Sequence, residues 1–357
     1  MSNRSELSST TVYSDCRPWS RISKKRWRNS AVDDLLKASK TTWPVPQIEQ
    51  IFLPEFKIKT ETNEESFEII EFICKGAFGK VFKVKQLDSN EVYAMKILKK
   101  SAIIEENGIQ QVKDEVHIQS MCGHHPFIIN CPFYWQSRKQ LFIVSNYVGG
   151  GELLKLLLQH EILPEELCRI YFAEIVTILD FLHNAGVIYR DIKPENILLD
   201  DDGHLQLIDF GLSKWLPQGC RTNTICGTSQ YMAPEILQMG NYNHSVDWWS
   251  AGVLLFQLLT NQYPPKTHDE IRTALDHVSK GATDMVLKLL ETNPQYRLKS
   301  LRQAKIQPFF HGFDFSEVIS KKVTTIKVKP NEILQRYSNV KRTHEKKELP
   351  NFDEFDS

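Results

Sequence analysis

The sequence predicts an α+β chain of two lobes, a small β-rich lobe followed by a larger α-rich one, with a cleft where they join near Tyr147. Three observations carry this. Phe67 to Ile73, Val81 to Gln86 and Val92 to Leu98 are short apolar stretches that read as strands of an antiparallel sheet. After Gly149-Gly150-Gly151 the character turns helical. The stretch from Tyr189 to Asn196 reads Y-R-D-x-K-P-E-N, which sets a carboxylate, a lysine and a carboxamide within six positions. Its Pro194 breaks regular structure, so these groups sit on a loop. By itself such an octapeptide is equally an ordinary turn between a helix and a strand.

A chain of 357 residues is long enough for two core-forming units plus tails. Lys plus Arg and Asp plus Glu both number 44, so no net field points to nucleic acid as a partner. None of the seven cysteines forms a Cys-x-x-Cys pair, which argues against zinc and against a disulfide framework. Their odd count suits a reducing compartment, so a cytoplasmic location is expected. No apolar run reaches the ~20 residues of a membrane span. The opening MSNRSELSST has no apolar signal core and no Gly at position 2.

Taken in order, residues 1–66 read as an extension, largely disordered over the Ser/Thr-rich first 40 positions. Within it, residues 17–28 combine basic side chains with Trp19 and Trp27. That mixture allows weak contact with an anionic membrane surface or a nuclear address. A solvated basic tail is the favoured reading. Trp43-Pro44-Val45-Pro46 is extended linker, because each proline disfavours helix before it. The run from Ile51 to Phe56 is apolar enough to dock on a folded body. Residues 67–148 form the small lobe, with a helix expected from Glu105 to Met121 and a further strand from Leu141 to Tyr147. Residues 149–313 form the large lobe. Helices are expected there over Glu152 to Gln159, Glu165 to Ala185, Asp247 to Leu259 and Thr283 to Glu291, with Leu205 to Ile208 strand-like. Residues 314–357 are a tail.

Several residues carry chemistry only in combination. Lys75-Gly76-Ala77-Phe78-Gly79-Lys80-Val81 joins two strands, and its glycines let backbone N–H groups come close to an anion. Alone it is a hairpin. Fifteen residues beyond Val81 stands Lys96, whose apolar neighbours Ala94, Met95 and Ile97 imply a buried stem. Glu115, on the expected helix, can pair with it; otherwise it is a solvated helical carboxylate. Asp209-Phe210-Gly211 follows a strand, eighteen residues after Asp191. Ala233-Pro234-Glu235 closes the following loop, and Arg297 can hold Glu235 as a buried ion pair.

In this order the set resembles the eukaryotic protein kinases, over Phe67 to Phe313. The Tyr189 that opens the loop, the run Thr222 to Thr228, Asp247-Trp248-Trp249 and the terminal Asn351-Phe352-Asp353-Glu354-Phe355 resemble the AGC group of serine/threonine kinases, nearest to the ribosomal protein S-six kinase branch. The resemblance implies a bilobal protein-kinase fold and phosphoryl transfer from ATP with Mg2+. Asp191 would accept the substrate hydroxyl proton and Lys193 would steady the transferring group. Asn196 and Asp209 would hold the metal. Gly76, Gly79, Val81, Ala94, Lys96, Val148 and Leu198 would form the nucleotide site, with Glu115 orienting Lys96. Glu152 would bind the ribose and attract a basic residue upstream of the acceptor in a protein substrate. Thr224 would be the regulatory site of an upstream activating kinase, its phosphate held by Arg190 and Lys214. Thr228 would bond near Asp191 and Lys193. A monomer is expected.

The chain departs from that pattern in places. Cys74 replaces the first glycine of the loop, either as a reactive thiol or as an inert small side chain. Ser145 stands at the back of the adenine pocket, where a bulky apolar residue is usual, and a deeper pocket is expected. Gln119 lies one turn after Glu115, where an apolar residue would stack toward Phe210; it must find a partner or be penalised ~1–3 kcal/mol. Gln257 replaces an acidic reader of substrate arginine. The segment 264–283 is short, with local destabilisation weighed against tolerance of a shortened surface connection. The aromatic-x-x-aromatic-Ser/Thr-aromatic ending of many relatives is absent from the sequence. The rival to an active kinase is a pseudokinase scaffold, and a third reading is a membrane-surface adaptor working through residues 17–28.

Overall fold

The computed structural model describes residues 45–58, 60–76, 78–160 and 162–322. The basic stretch 17–28, Ala77 and the tail beyond 322 lie outside them.

The small lobe is built on a five-stranded antiparallel sheet of β1 (Phe67–Lys75), β2 (Gly79–Gln86), β3 (Val92–Lys99), β4 (Phe133–Gln136) and β5 (Gln140–Asn146), in the order β1-β2-β3-β5-β4. Register sets Lys96 opposite Val81 on one side and Ile143 on the other, and Ala94 opposite Ser145. One face is aromatic: Trp135 stacks on Phe142 at 4.9 Å and on Phe67 at 5.9 Å. The other face joins Leu98, Leu141 and Ile143 to the helices. β4 escaped sequence reading because four residues, Phe-Tyr-Trp-Gln, are too few to show alternation.

The helix expected from Glu105 to Met121 begins only at Ile109, as α3 (Ile109–Cys122), and a separate α2 (Lys100–Glu105) precedes it. Asn107 adopts a left-handed φ of 53° and Gly108 follows it. Asparagine then glycine is turn chemistry that ends a helix, and the run of charges around it hid the break. Upstream, α1 (Gln47–Gln50) leads into a series of turns. There Phe52 and Phe56 are fully buried in a cluster with Leu98, Ile103, Val112, Val116, Leu141 and Ile143. The core of the small lobe therefore begins before Phe67.

The large lobe packs α4 (Leu153–Gln159), α5 (Glu165–Asn184), α6 (Pro234–Leu237), α7 (Ser245–Thr260), α8 (His268–Ala274), α9 (Lys280–Leu289), α10 (Leu301–Lys305) and α11 (Phe315–Ile319). α7 is buried on nearly every side, as expected of a helix apolar all round. Phe315 and Val318 are buried, so this core continues past residue 313. Two short ladders bracket the loops that matter. β6 (Val187–Ile188) pairs with β9 (Lys214–Trp215), and β7 (Ile197–Leu199) pairs with β8 (Leu205–Leu207).

The short segment 264–283 carries side-chain caps at the starts of two helices. Thr267 and Glu270 form a capping box at the start of α8. Ser279 caps α9, and its N–H and hydroxyl both donate to Glu165, at 2.8 and 2.6 Å. Among the described residues no helix is long and apolar enough to cross a membrane.

Candidate active site

Lys96 on β3 and Glu115 on α3 meet at 2.6 Å. Burial alone would depress the Lys96 ammonium, but the Glu115 and Asp209 carboxylates overcome this and hold it above its ordinary value. Asp209 adopts φ 55° and accepts the Gly211 N–H at 3.1 Å. A Cβ on Gly211 would stand 3.0 Å from Asp209 Oδ1 and 3.6 Å from Glu115 Oε2, so the two carboxylates converge on one small volume. Phe210 is fully buried and meets the Tyr189 ring edge-on at 5.3 Å.

The loop after β6 supplies the second half. Asp191 accepts from Asn196 Nδ2 at 2.7 Å and from the Thr228 hydroxyl at 3.1 Å, and Lys193 Nζ lies 2.9 Å from it. Lys193 also donates to the Thr228 hydroxyl at 2.9 Å. Asp191, Lys193 and Thr228 form a closed ring, and Asn196 joins it through Asp191. Asp247, wholly buried in α7, fixes the loop from below by accepting the N–H groups of Tyr189 and Arg190 at 2.9 and 2.7 Å. His183 Nε2 lies 2.8 Å from the same carboxylate. Arg190 is thereby kept at φ 71°, a strained value for a bulky residue. Sequence reading had not assigned Asp247 this role. A carboxylate inside an otherwise apolar helix was the available signal.

The glycines divide their work. A Cβ on Gly79 would lie 1.8 Å from the Ile97 carbonyl oxygen, so only glycine fits under the sheet there. Nothing stands within 4 Å of the corresponding position on Gly76, which leaves its side open. Beyond the sheet, the Gly150 N–H donates to the Leu199 carbonyl at 3.0 Å and the Leu199 N–H to the Gly151 carbonyl at 2.8 Å. These bonds tie the link after β5 to β7, beside the isolated bridge Glu152–Leu198. Val81 and Ala94 thus come from the sheet, and Leu198 from β7. Val148, half-buried, lies in the link between them.

The departures resolve individually. Cys74 is exposed as a residue, but partial desolvation and the nearby Glu152 carboxylate push its thiol up, which makes it a poor thiolate. Gln119 finds partners in the Ile129 carbonyl at 3.4 Å and the Ser145 hydroxyl at 3.5 Å. Gln257 is buried and accepts from Tyr231 Oη at 2.5 Å. Arg297 holds Glu235 by two bonds of 2.7 and 2.9 Å. Thr224 is exposed. The cations expected around it are engaged next door: Lys214 donates to the Thr222 hydroxyl at 3.1 Å, and Arg190 to Tyr242 Oη at 3.3 Å. Tyr242 Oη in turn donates to the Thr224 carbonyl. Cavities of about 320 and 270 Å³ lie elsewhere, on the large lobe, and neither contains Lys96, Asp191, Asn196 or Asp209.

Residues 67–310 match the protein kinase domain model. The chain belongs to the protein kinase family. It is 40% identical over 291 residues to the human "Ribosomal protein S6 kinase-related protein", covering 78% of this chain and 70% of that one. It is 39% identical over 270 residues to the "RAC family serine/threonine-protein kinase homolog" of Dictyostelium discoideum, covering 72% and 60%. It is 35% identical over 280 residues to the Arabidopsis thaliana "Serine/threonine-protein kinase AtPK1/AtPK6", covering 75% and 60%. The kinase architecture is therefore α+β and bilobal, with its polar cluster at the junction of the lobes.

Proposed function

We propose that this chain transfers the γ-phosphoryl group of Mg-ATP to a serine or threonine hydroxyl of a protein. One observation carries the reading: the closed Lys96–Glu115 pair, Asp209 and the Asp191–Lys193–Thr228 ring with its attached Asn196 come together from separate segments. In the transfer, the bond from the γ-phosphorus to its bridging oxygen breaks as the bond to the acceptor hydroxyl oxygen forms. Asp191 takes the hydroxyl proton. Lys96 orients the α- and β-phosphates, and Lys193 balances charge on the moving group. Positioning and charge stabilisation carry the rate, with no covalent intermediate on the protein.

The donor set fits magnesium. Asn196 and Asp209 offer hard oxygens, the donor type that magnesium takes. Magnesium keeps several waters and takes the rest of its shell from phosphates, so two protein donors suffice. When bound, it neutralises charge on the phosphates.

Glu152, with its side chain 40% exposed, supports a preference for a basic residue upstream of the acceptor. Gln257, buried behind Tyr231, supports reading one such residue and not a pair. Exposure of Thr224, with Arg190 and Lys214 one residue pair away, supports activation by phosphorylation there. No observation favours a scaffold that only binds.

The test is ATP turnover on a basic peptide, with Asp191→Asn beside the wild type. Loss of roughly 10²- to 10⁴-fold is expected for removal of a general base. Equal turnover in the two proteins would overturn the reading.

A further inference from the structure

The cavity of about 320 Å³ lies between the segment at Arg221, the loop ahead of α7 and the loop between α9 and α10. Sites for small ligands begin at roughly 300 Å³, so the space takes a compact molecule.

Its wall has a surplus of donors. The titratable groups on it are Arg221, Lys299, Tyr242 and Glu235. Glu235 is already spent, because its two oxygens accept from Arg297 at 2.7 and 2.9 Å. Arg221 is exposed, and among the described residues it has no hydrogen bond or ion pair. Lys299 is exposed too, and its described partners are two carbonyls, of Pro294 and Gln295, at 3.4 and 3.3 Å. Asn243 and Asn293 also line the space. Each accepts a backbone N–H on Oδ1, from Ser245 and Gln295, both at 3.0 Å, which leaves its Nδ2 group to donate. Two cations and two amides thus face one cavity whose single carboxylate is neutralised. Such a wall suits a phosphate group, which accepts bonds from several directions and meets a guanidinium as a fork.

The same wall reaches Thr224. Tyr242 exchanges both backbone bonds with Thr222, at 2.9 Å each. Its hydroxyl donates to the Thr224 carbonyl and accepts from Arg190 at 3.3 Å. A ligand that holds Arg221 and packs on Tyr242 therefore restrains the chain on both sides of Thr222.

We propose that this cavity is an effector site for a small phosphate monoester, held by Arg221, Lys299, Asn243 and Asn293, and that its occupancy orders residues 221–224 through Tyr242. The site is separate from the one that a phosphate on Thr224 would occupy, since neither Arg190 nor Lys214 lines the cavity.

Binding and hydrogen exchange test this, so the outcome does not depend on the kinase reading. The full chain is titrated by calorimetry with O-phospho-L-serine, at an ionic strength fixed with chloride. One saturable site is expected, with a dissociation constant tighter than about 1 mM. Arg221→Gln and Lys299→Gln should each weaken it at least about tenfold, the scale of one charge-assisted hydrogen bond. Both side chains are exposed, so these substitutions leave the core intact. Lys96→Met and Lys214→Gln should bind as the wild type does. Exchange at residues 221–224 and 242–245 should slow on saturation in the wild type and stay unchanged in Arg221→Gln. Absence of saturation, or equal binding of unphosphorylated L-serine, would overturn the proposal. So would binding that survives in Arg221→Gln and Lys299→Gln but fails in Lys96→Met or Lys214→Gln, because the anion would then sit at the nucleotide site or at Thr224. Binding of a phosphoserine peptide without binding of the free amino acid would assign a protein ligand and overturn the small-molecule one. Saturable binding that leaves exchange at 221–224 unchanged would refute the ordering role.

Discussion

Gln119 on α3 and Ser145 on β5 face each other at 3.5 Å behind the Lys96–Glu115 pair, two polar side chains in an otherwise apolar wall. With the Ile129 carbonyl at 3.4 Å, these are the only partners described for the Gln119 amide, and both bonds are long. Bonds of that length return little of the cost of burying an amide. Gln119→Leu should therefore raise stability by about 1 kcal/mol, since an apolar group of similar volume removes that cost. A urea titration measures it, and a lowered midpoint would contradict the account.

Ser145 carries a smaller side chain than the bulky apolar residue the resemblance implies at that place, so a deeper adenine pocket is expected. An ATP-competitive inhibitor enlarged at its inner edge should bind wild type at least about tenfold more tightly than Ser145→Met, as a few methylenes' worth of space implies. Equal dissociation constants for the two proteins would show that the space is closed by something else.

Thr228 bridges Asp191 and Lys193 through one hydroxyl. Thr228→Val keeps the shape and removes the bridge. It should lower kcat roughly 10- to 100-fold by letting the Asp191 carboxylate wander, with KM for ATP unchanged. A rise in KM at constant kcat would instead place the residue in nucleotide binding.

Arg297 is 1% exposed and grips Glu235 with two bonds, while donating also to the carbonyls of Ser245 and Glu291. Arg297→Ala strands the carboxylate and should cost ~3–5 kcal/mol. Chemical denaturation gives the number directly, and a loss below 1 kcal/mol would mean that solvent reaches Glu235 easily.

Lys100 is buried, and burial pushes its ammonium down to about 8. Its ordinary value is near 10.5. Between these two values the unfolded chain binds more protons at this site than the folded one, so the group's contribution to stability increases as pH rises through the window. Below about 8 the full penalty is present. The stability of wild type relative to Lys100→Met should climb between pH 8 and 10.5, by at most ~1.4 kcal/mol per pH unit for one proton. A difference that stays flat across the window would show that Lys100 is solvated in the folded state.

The two-lobed architecture was legible in the sequence, and the candidate reacting groups were legible through their resemblance to protein-kinase motifs. The short apolar runs from Phe67 to Leu98, the amphipathic α5 and the all-round apolar α7 are local properties, written in consecutive residues. The spacing of Asp191, Asn196 and Asp209 is equally local, because a loop between two short ladders leaves few arrangements. The break at Asn107-Gly108 was also present locally and was read through, since charged residues continue the helical pattern on both sides.

Only the tertiary structure decided what depends on distant partners. Lys96 and Glu115 are a pair because β3 and α3 meet, and Gln119 is tolerated because Ser145 happens to be opposite. Asp247 matters because α7 passes beneath the Tyr189–Arg190 backbone. The apolar run from Ile51 to Phe56 announced that it would dock, as Phe52 and Phe56 do, but not where. Their burial follows from a cluster shared with residues of β3, β5, α2 and α3. Packing is a property of surfaces brought together by folding, and a linear pattern holds no record of which surfaces will meet.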